Sequence, residues 1–237
     1  MSGAPDGPVL ALDTSTSVGS VAVGAGDRLL AETALTVGSG HSSALLPAID
    51  TALRSAGLAP GDLAAVVVGG GPGSFTGVRI AAATAKGIVH AAGIPLWAYS
   101  SLAAAAAGSW GADRPVCALF DARRRDVYAA CWRFGPKVDE VMAPEALTLD
   151  EVLERFRGGP PPLFTGEAAV IHREEIEREP GARVVPAHLA APRASALLAL
   201  LRAAPDLGRV AEPAHWEPEY VRASGAERIA AAAGRAS

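Results

Sequence analysis

The stretch VVVGGGPGSFTGVRIAAATAKGIVHAAG, residues 66–93, has the strongest local pattern in the chain. Its three leading valines are β-branched and favour a buried strand. The glycines that follow allow a sharp turn and leave no Cβ to obstruct a close neighbour. Ser74 or Thr76 can cap a helix, and Gly93 is a suitable residue to end it. The stretch therefore predicts a strand, a glycine turn and a helix.

The glycine turn has two interpretations. Backbone N–H groups at a helix N-terminus can bind an anion, but the stretch has neither a Walker A lysine nor a complete G-x-G-x-x-G pattern, because Thr76 takes the third position. The alternative is a tight strand-to-helix connection that binds no ligand. The residues that would form the anion-binding loop are Gly71, Gly73, Ser74, Gly77 and Arg79.

A second polar turn precedes this stretch. Val9–Asp13 is predicted to be a strand that ends in a carboxylate, and strands are also expected at Val18–Gly24 and Arg28–Thr36. The carboxylate of Asp13 and the hydroxyls of Thr14 and Ser15 are groups that could hold a phosphate or a hydrated metal. The same residues are also ordinary turn formers.

The strand–Asp–turn–strand pattern occurs again in the second half of the chain. Val116–Asp121 and Asp126–Phe134 are predicted to pair, and Asp121 takes the place of Asp13. The turn between them carries the only concentrated positive charge of the sequence, formed by Arg123, Arg124 and Arg125. This tip is either a solubilising hairpin end or a docking point for an acidic partner or RNA.

Two cysteines lie on these predicted strands. Cys117 and Cys131 could stand opposite each other, and we expect both to remain reduced.

Two helices of the first half have distinctive faces. His41–Leu58 places Leu45, Ile49 and Leu53 on one apolar side, with Pro47 expected in its first turn. The helix after the glycine turn has a strip of small residues at four-residue spacing, which indicates close packing inside the fold or between subunits. Glu32 and Asp50 are expected to be solvated.

The remaining elements follow the same kind of periodicity. Further strands and helices are predicted at 94–99, 102–109, 138–156, 163–166, 167–179, 183–186 and 193–204. We place a domain boundary near residue 110, which gives domains at 1–110 and 111–222 and a mobile tail at 223–237. No segment after Phe134 has catalytic spacing.

The composition limits the function further. The chain has 237 residues, half of them apolar, and a net charge of −4, so no overall positive field attracts nucleic acid. Met1–Pro8 lacks the apolar core of a signal peptide. Val78–Ala92 carries Arg79 and Lys86 and is too short to span a bilayer. We expect a cytoplasmic protein that does not enter a membrane.

Several segments together resemble the TsaB (YeaZ) family, the dimerisation subunit of the bacterial tRNA threonylcarbamoyladenosine machinery. They are LALDTSTSVGSVAV, HSSALLPAID, the stretch from Val66 to Ala106, DARRRDVYAA and EPEYVR. The GPGSFTGVR segment is the most specific of them. The resemblance covers the first half of the chain densely and a short motif near the end.

The resemblance implies an α/β fold of the actin-like/sugar-kinase-like (ASKHA) type, with two domains of common ancestry and mixed five-stranded sheets. It also implies a non-catalytic subunit that pairs with the catalytic paralogue TsaD and works with TsaE and TsaC. TsaD transfers threonylcarbamoyl to N6 of an adenosine beside the tRNA anticodon. The chain would then contact tRNA only through the complex, and form a homodimer when alone.

One departure from the catalytic paralogue determines the expected chemistry. That protein has a His-x-x-x-His metal motif, whereas Ser101 and Ala105 stand at the equivalent positions here. A hydroxyl and a methyl group cannot replace two imidazoles as ligands of a transition metal. We therefore expect no metal, no cofactor and no catalytic residues in the isolated chain.

The resemblance also assigns the partner-binding surface to the helices at His41–Gly57 and Phe75–Ala92. The residues expected to form it are His41, Leu45, Leu46, Ile49, Leu53, Val78, Ala81, Ala85 and Ile88.

Three other functions remain to be compared with this one. A small-molecule kinase or ATPase of the same fold would use Asp13 and the Gly69–Gly77 turn. A metallo-glycoprotease would need an H-E-x-x-H motif or a nucleophile–base pair, and the sequence has neither. A self-associating structural protein would use the same two helices.

Overall fold

The computed structural model of the chain describes residues 3–36, 41–123 and 126–221. The predictions made for Arg124, Arg125, Arg222 and the tail at 223–237 lie outside the described residues. Within the described part of the chain, no helix has both the length and the apolarity needed to cross a bilayer.

Each half of the chain forms a mixed five-stranded sheet, and the two sheets repeat one topology. Their strand orders are β3-β2-β1-β4-β5 and β8-β7-β6-β9-β10. In the first sheet the central strand pairs antiparallel with β2 and parallel with β4. In the second it pairs antiparallel with β7 and parallel with β9. The strands are β1 Pro8–Asp13, β2 Val18–Ala25, β3 Arg28–Thr36, β4 Ala65–Gly69, β5 Leu96–Tyr99, β6 Val116–Asp121, β7 Asp126–Phe134, β8 Val138–Thr148, β9 Leu163–Thr165 and β10 Arg183–Val184.

This duplication confirms the predicted α/β fold of two mixed sheets flanked by helices. The helices are α1 His41–Ser55, α2 Phe75–Ala92, α3 Ser101–Ala107, α4 Leu149–Arg155, α5 Glu167–Ile171, α6 Arg173–Ile176, α7 Ala194–Ala203 and α8 Pro205–Gly208. The ends of α2 are those expected, because the hydroxyl of Ser74 accepts a hydrogen bond from the Gly77 N–H and Gly93 takes a left-handed conformation with φ of 66°.

Two helix predictions were wrong in detail. The single helix expected at 167–179 is two short helices, α5 and α6, that join at His172. Arg173 donates to the carbonyls of Val184 and Val185, at 2.9 and 2.5 Å, and this fixes α6 beside β10. Pro47 is the seventh residue of α1 and lies beyond the first turn.

Helices cover both faces of the first sheet. α1 and α2 pack on the face formed by Leu10, Val21 and Val66, and α7 packs on the opposite face. α3 lies between α7 and the second sheet, so one apolar core runs through both halves. The domain division at residue 110 stays a prediction. α7 follows the second sheet in the chain but packs on the first sheet.

An ion pair between a half-exposed arginine and a nearly buried glutamate fixes α7 to the first sheet. Glu32 on β3 accepts hydrogen bonds from Arg193 Nη2 at 2.5 Å, from the Ser195 N–H at 3.1 Å and from Ser195 Oγ at 2.6 Å. Only 10% of its side chain is exposed, so the expectation that Glu32 is solvated was wrong. Burial alone would raise the pKa of Glu32, but the hydrogen bonds from Arg193 and Ser195 lower it below its usual value.

The two cysteines stand directly opposite each other on β6 and β7. Cys117 and Cys131 are both buried, and both are free thiols. Burial raises the pKa of the Cys117 thiol well above its usual value.

Candidate functional site

Three segments identified in the sequence meet at one end of the first sheet. They are the turn after Asp13, the glycine turn after β4, and residues 216–220 near the end of the described chain. The structure thus brings together the residues predicted to form vestigial phosphate- or nucleotide-type loops: Asp13, Thr14, Ser15, Gly71, Gly73, Ser74, Gly77 and Arg79.

The carboxylate of Asp13 organises the first turn. Asp13 is fully buried, and its Oδ1 accepts hydrogen bonds from the backbone N–H of Ser15 at 2.8 Å and from Ser15 Oγ at 2.6 Å. Its Oδ2 lies over Gly69, where a Cβ would be 1.8 Å from that oxygen. Gly69 therefore allows the carboxylate to lie on the end of β4.

The glycine turn packs directly onto the Asp13 turn. The Ser74 N–H donates to the Ser15 carbonyl at 2.6 Å, and Thr14 Oγ1 donates to the Gly77 carbonyl at 2.7 Å. A Cβ on Gly77 would lie 1.9 Å from the Thr14 carbonyl oxygen. The two turns proposed to hold a phosphate therefore fill each other's space.

The other side of the glycine turn is also covered by the chain. The Gly70 N–H donates to the Tyr99 carbonyl at 2.7 Å, and the Gly71 N–H donates to Ser101 Oγ at 3.2 Å. The Glu219 N–H donates to the Gly70 carbonyl at 2.9 Å. These contacts give the glycines a structural role, the alternative that the sequence left open, because each glycine makes room for neighbouring backbone or side chain.

Ser101 and Ala105, where the resemblance implies histidines in the catalytic paralogue, lie inside the core. Ser101 and Ala105 are buried on α3, and Ser101 uses its hydroxyl as the acceptor for Gly71. Among residues 3–36, 41–123 and 126–221, no three His, Cys, Asp or Glu side chains cluster in a way that could hold a metal ion.

The turn after Asp121 is built like the turn after Asp13. Asp121 accepts a hydrogen bond from the Arg123 N–H at 2.7 Å, and Arg123 adopts a left-handed conformation with φ of 63°. Asp121 and Arg123 are exposed.

A carboxylate that the sequence analysis did not single out links the two turns. Glu167, the first residue of α5, lies against the backbone of Ser17 in the first turn and of Asp121 at the end of β6. Burial raises the pKa of Glu167, and its contacts with these backbone groups oppose the rise. The signal available in the sequence was an acid directly after Gly166, at the end of β9, the fourth strand of the second half.

Most residues predicted to contact a partner face the chain's own first sheet. Six of the nine are buried, and each has at most 6% of its surface exposed: Leu45, Ile49, Leu53, Val78, Ala81 and Ala85. Side chains that are already buried in the core cannot form a docking surface, so this part of the prediction was wrong. Leu46 is 61% exposed, Ile88 is half-buried, and the side chain of His41 lies outside what the structure describes.

The outward side of α2 is a different set of residues. Phe75, Arg79, Ala83, Gly87 and Ala91 follow one another at four-residue spacing, and all are exposed. We call them the outer row of α2. Nothing lies within 4 Å of a Cβ built on Gly87. The small side chains in the middle of the outer row therefore leave the helix backbone accessible. An aromatic residue and an arginine stand at one end of the row.

Comparison with known proteins places these features in a family. The model of the family described as "TsaD: tRNA N6-adenosine threonylcarbamoyltransferase" matches residues 36–228. The tRNA threonylcarbamoyladenosine biosynthesis protein TsaB of Escherichia coli is 30% identical over 224 residues, which cover 90% of this chain and 94% of that protein. TsaB of Bacillus subtilis is 34% identical over 171 residues, covering 71% of this chain and 75% of that protein.

The solved structures agree with the sequence relatives. YeaZ from Pseudomonas aeruginosa superimposes with a TM-score of 0.77 at 29% identity, over 90% of this chain and 99% of that one. The shared fold, the matching family model and the near full-length similarity lead to one conclusion. The chain belongs to the TsaB (YeaZ) family and carries the TsaD-type domain.

Proposed function

We propose that this chain takes part in forming N6-threonylcarbamoyladenosine in tRNA, as a non-catalytic subunit that binds and activates a TsaD-type threonylcarbamoyltransferase. The first support is its kinship with proteins named for that biosynthesis. In the proposal TsaD modifies the adenosine beside the anticodon, TsaE joins the larger complex, and tRNA is contacted only through that complex. The isolated chain needs no cofactor and forms a homodimer when TsaD is absent.

The packing of the polar turns supports a role without catalysis. The amides of Gly70, Gly71 and Ser74 already donate to groups of the chain itself. A phosphate needs free N–H donors at a turn or a helix N-terminus. A kinase or ATPase that used the Gly69–Gly77 turn would have to open these contacts first.

The outer row of α2 supports a role in binding, and it is the observation on which the proposal depends. Small residues at four-residue spacing allow another helix to approach closely, and Ala83 and Gly87 are exposed in such a row. Leu46 on α1 adds an exposed apolar side chain to the same face of the first sheet. We therefore assign the TsaD-binding surface to the outward residues of α1 and α2.

Reconstitution tests this function. Threonylcarbamoyl transfer to tRNA is measured with TsaC, TsaD and TsaE, with and without this chain. We expect transfer to depend on the chain, and Gly87→Arg to abolish both transfer and binding to TsaD, because the arginine would fill the row where backbones approach. Ala203→Arg is the matched control, since Ala203 is exposed on α7, which covers the opposite face of the sheet.

Two results would overturn the proposal. One is full transfer activity in the absence of the chain. The other is hydrolysis or transfer of the ATP γ-phosphate by the purified chain alone, which would favour the kinase or ATPase function.

A further inference from the structure

An aromatic and cationic cluster stands at the N-terminal end of the outer row of α2. The guanidinium of Arg79 lies 3.7 Å from the ring centroid of Phe75, one helical turn earlier. Its Nε donates a hydrogen bond to the hydroxyl of Tyr220 at 2.9 Å. The rings of Phe75 and Tyr220 are 5.6 Å apart, so the arginine is held by both aromatic residues. We call these three residues the Arg79 cluster.

The chain fixes the Arg79 cluster from both sides. Phe75 and Arg79 belong to α2, and Tyr220 follows Glu219, whose N–H is bonded to the Gly70 carbonyl. Lys86 anchors the same segment by donating to the Trp216 carbonyl at 2.9 Å. An arginine held in this way has already lost much of its conformational freedom, so binding a ligand costs it less entropy.

The guanidinium retains its binding capacity. Among the described residues, Tyr220 is the only hydrogen-bond partner of Arg79, and it engages Nε alone. The two Nη groups remain, and such a planar edge fits a carboxylate through two parallel hydrogen bonds. Phe75 is 43% exposed and Tyr220 is 38% exposed, so apolar surface surrounds the charge. Arginine and large aromatics in this arrangement are typical of the residues that dominate binding energy in protein interfaces.

The surroundings favour an acidic protein side chain over RNA. Glu217 and Glu219 are both exposed in the segment that carries Tyr220; Glu217 pairs with Lys86 at 3.6 Å, and the charge of Glu219 would repel a run of phosphates there. A single carboxylate opposite Arg79 carries one negative charge and is repelled less by these glutamates than a run of phosphates is. The cluster also continues the outer row of α2 without interruption, since Phe75, Arg79, Ala83 and Gly87 share one spacing.

We infer that Arg79 is an anchoring residue of the partner interface, and that it forms a bidentate pair with an aspartate or glutamate on the TsaD-type partner, with Phe75 and Tyr220 packing around the pair. This inference rests on the proposed function and identifies the chemistry of the group that the partner must present.

Affinity measurements with matched variants test the inference. Binding of the full chain to TsaD is measured by titration calorimetry for the wild type, Arg79→Lys, Arg79→Ala and Tyr220→Phe. Arg79→Lys keeps the charge but loses the planar fork, and we expect it to weaken binding about tenfold or more, as Arg79→Ala does. Tyr220→Phe keeps the ring but releases the arginine, and we expect a smaller loss of severalfold.

The outcomes separate this inference from the proposed function. Wild-type binding that is lost in Gly87→Arg but unchanged in Arg79→Lys and Arg79→Ala would overturn the role of Arg79 and leave the function intact. Wild-type chain that does not bind TsaD would overturn both. If the Arg79 variants lower the retention of tRNA by the complex while their affinity for TsaD stays at the wild-type value, the cluster serves RNA and the inference is wrong.

Discussion

Ala83 and Ala85 of α2 lie in opposite environments. Substituting each with glutamate tests which side of the helix packs on the first sheet. Ala85 is fully buried, in the core that includes Val66 and Val68, whereas Ala83 is exposed. A glutamate at 85 would either place an unpaired charge in that core, which costs several kcal/mol, or remain protonated and still overpack it by about 1–3 kcal/mol. The same side chain at 83 points into water, and its effect stays within about 0.5 kcal/mol.

The assay is urea unfolding of both variants and the wild type, followed by circular dichroism at pH 7. We expect Ala85→Glu to lose about 4 kcal/mol or to fail to fold, a large part of the 5–15 kcal/mol that is typical of a domain. Ala83→Glu should retain wild-type stability and lose binding to TsaD. A stable Ala85→Glu variant that fails only to bind its partner would refute the reasoning, because it would mean that the small-residue strip of Ala81 and Ala85 faces outward.

Three further predictions concern contacts inside the chain. Glu32→Ala should lower the stability by about 2 kcal/mol, because the N–H and hydroxyl of Ser195 lose their acceptor; thermal unfolding measures it, and a loss below 0.5 kcal/mol would contradict the role of this pair. Gly77→Ala should cost about 1–3 kcal/mol by the same measurement, since its Cβ would lie 1.9 Å from the Thr14 carbonyl oxygen, while Gly87→Ala, with open space at that position, should be neutral or stabilising. The folded-state pKa of Glu167 is raised above its ordinary value of 4.5, so its ionisation destabilises the fold at neutral pH and this effect disappears as the pH falls through the folded-state pKa towards 4.5. Urea unfolding at pH 4 and pH 7 should therefore show Glu167→Gln losing stability relative to the wild type as the pH is lowered, and the opposite trend would exclude the raised pKa.

Local signals in the sequence were enough to predict the repeat and the ends of α2, whereas the two-sheet fold was implied by the resemblance to the TsaB family. The strand–Asp–turn–strand repeat at Asp13 and Asp121 marked the two halves, and the structure forms the same sheet twice. Ser74 and Gly93 marked the ends of α2 because capping depends on residues within one turn of the helix. Such signals need no knowledge of distant parts of the chain.

The exposed face of α2 could not be predicted in the same way. An apolar or small-residue strip shows which side of a helix is buried, but it does not show whether the covering surface is the chain's own sheet or a partner. Here Ala81 and Ala85 pack on the first sheet. In the outer row of α2, Ala83 and Gly87 differ little in hydrophobicity from the buried alanines of the same helix. Only their exposure in the structure identifies them as the outward side.

Charged residues with distant partners were the other failure. Glu32 and Arg193 are 161 residues apart, and no local pattern links them. Glu167 follows an ordinary stop glycine, and its contacts with Ser17 and Asp121 exist only because the two halves are folded against each other. A solvated carboxylate is the usual outcome for an acid in a charged segment, so Glu32 was assigned to the surface and Glu167 was not singled out.

The repeated aspartate turns of the two halves bear on whether the chain could bind an anion. In each half an aspartate at the end of the first strand bonds to the turn that follows it, and Glu167 lies against the backbone of Ser17 and Asp121. A phosphate placed at the first turn would compete with Asp13 for the Ser15 N–H and with the Ser15 carbonyl for the Ser74 N–H, so it would have to break contacts that hold this turn and the glycine turn together. An external anion therefore meets a loss of stability before it gains any binding energy. This balance favours a fold whose outer surface carries the function, and it agrees with the assignment of partner binding to the outer row of α2.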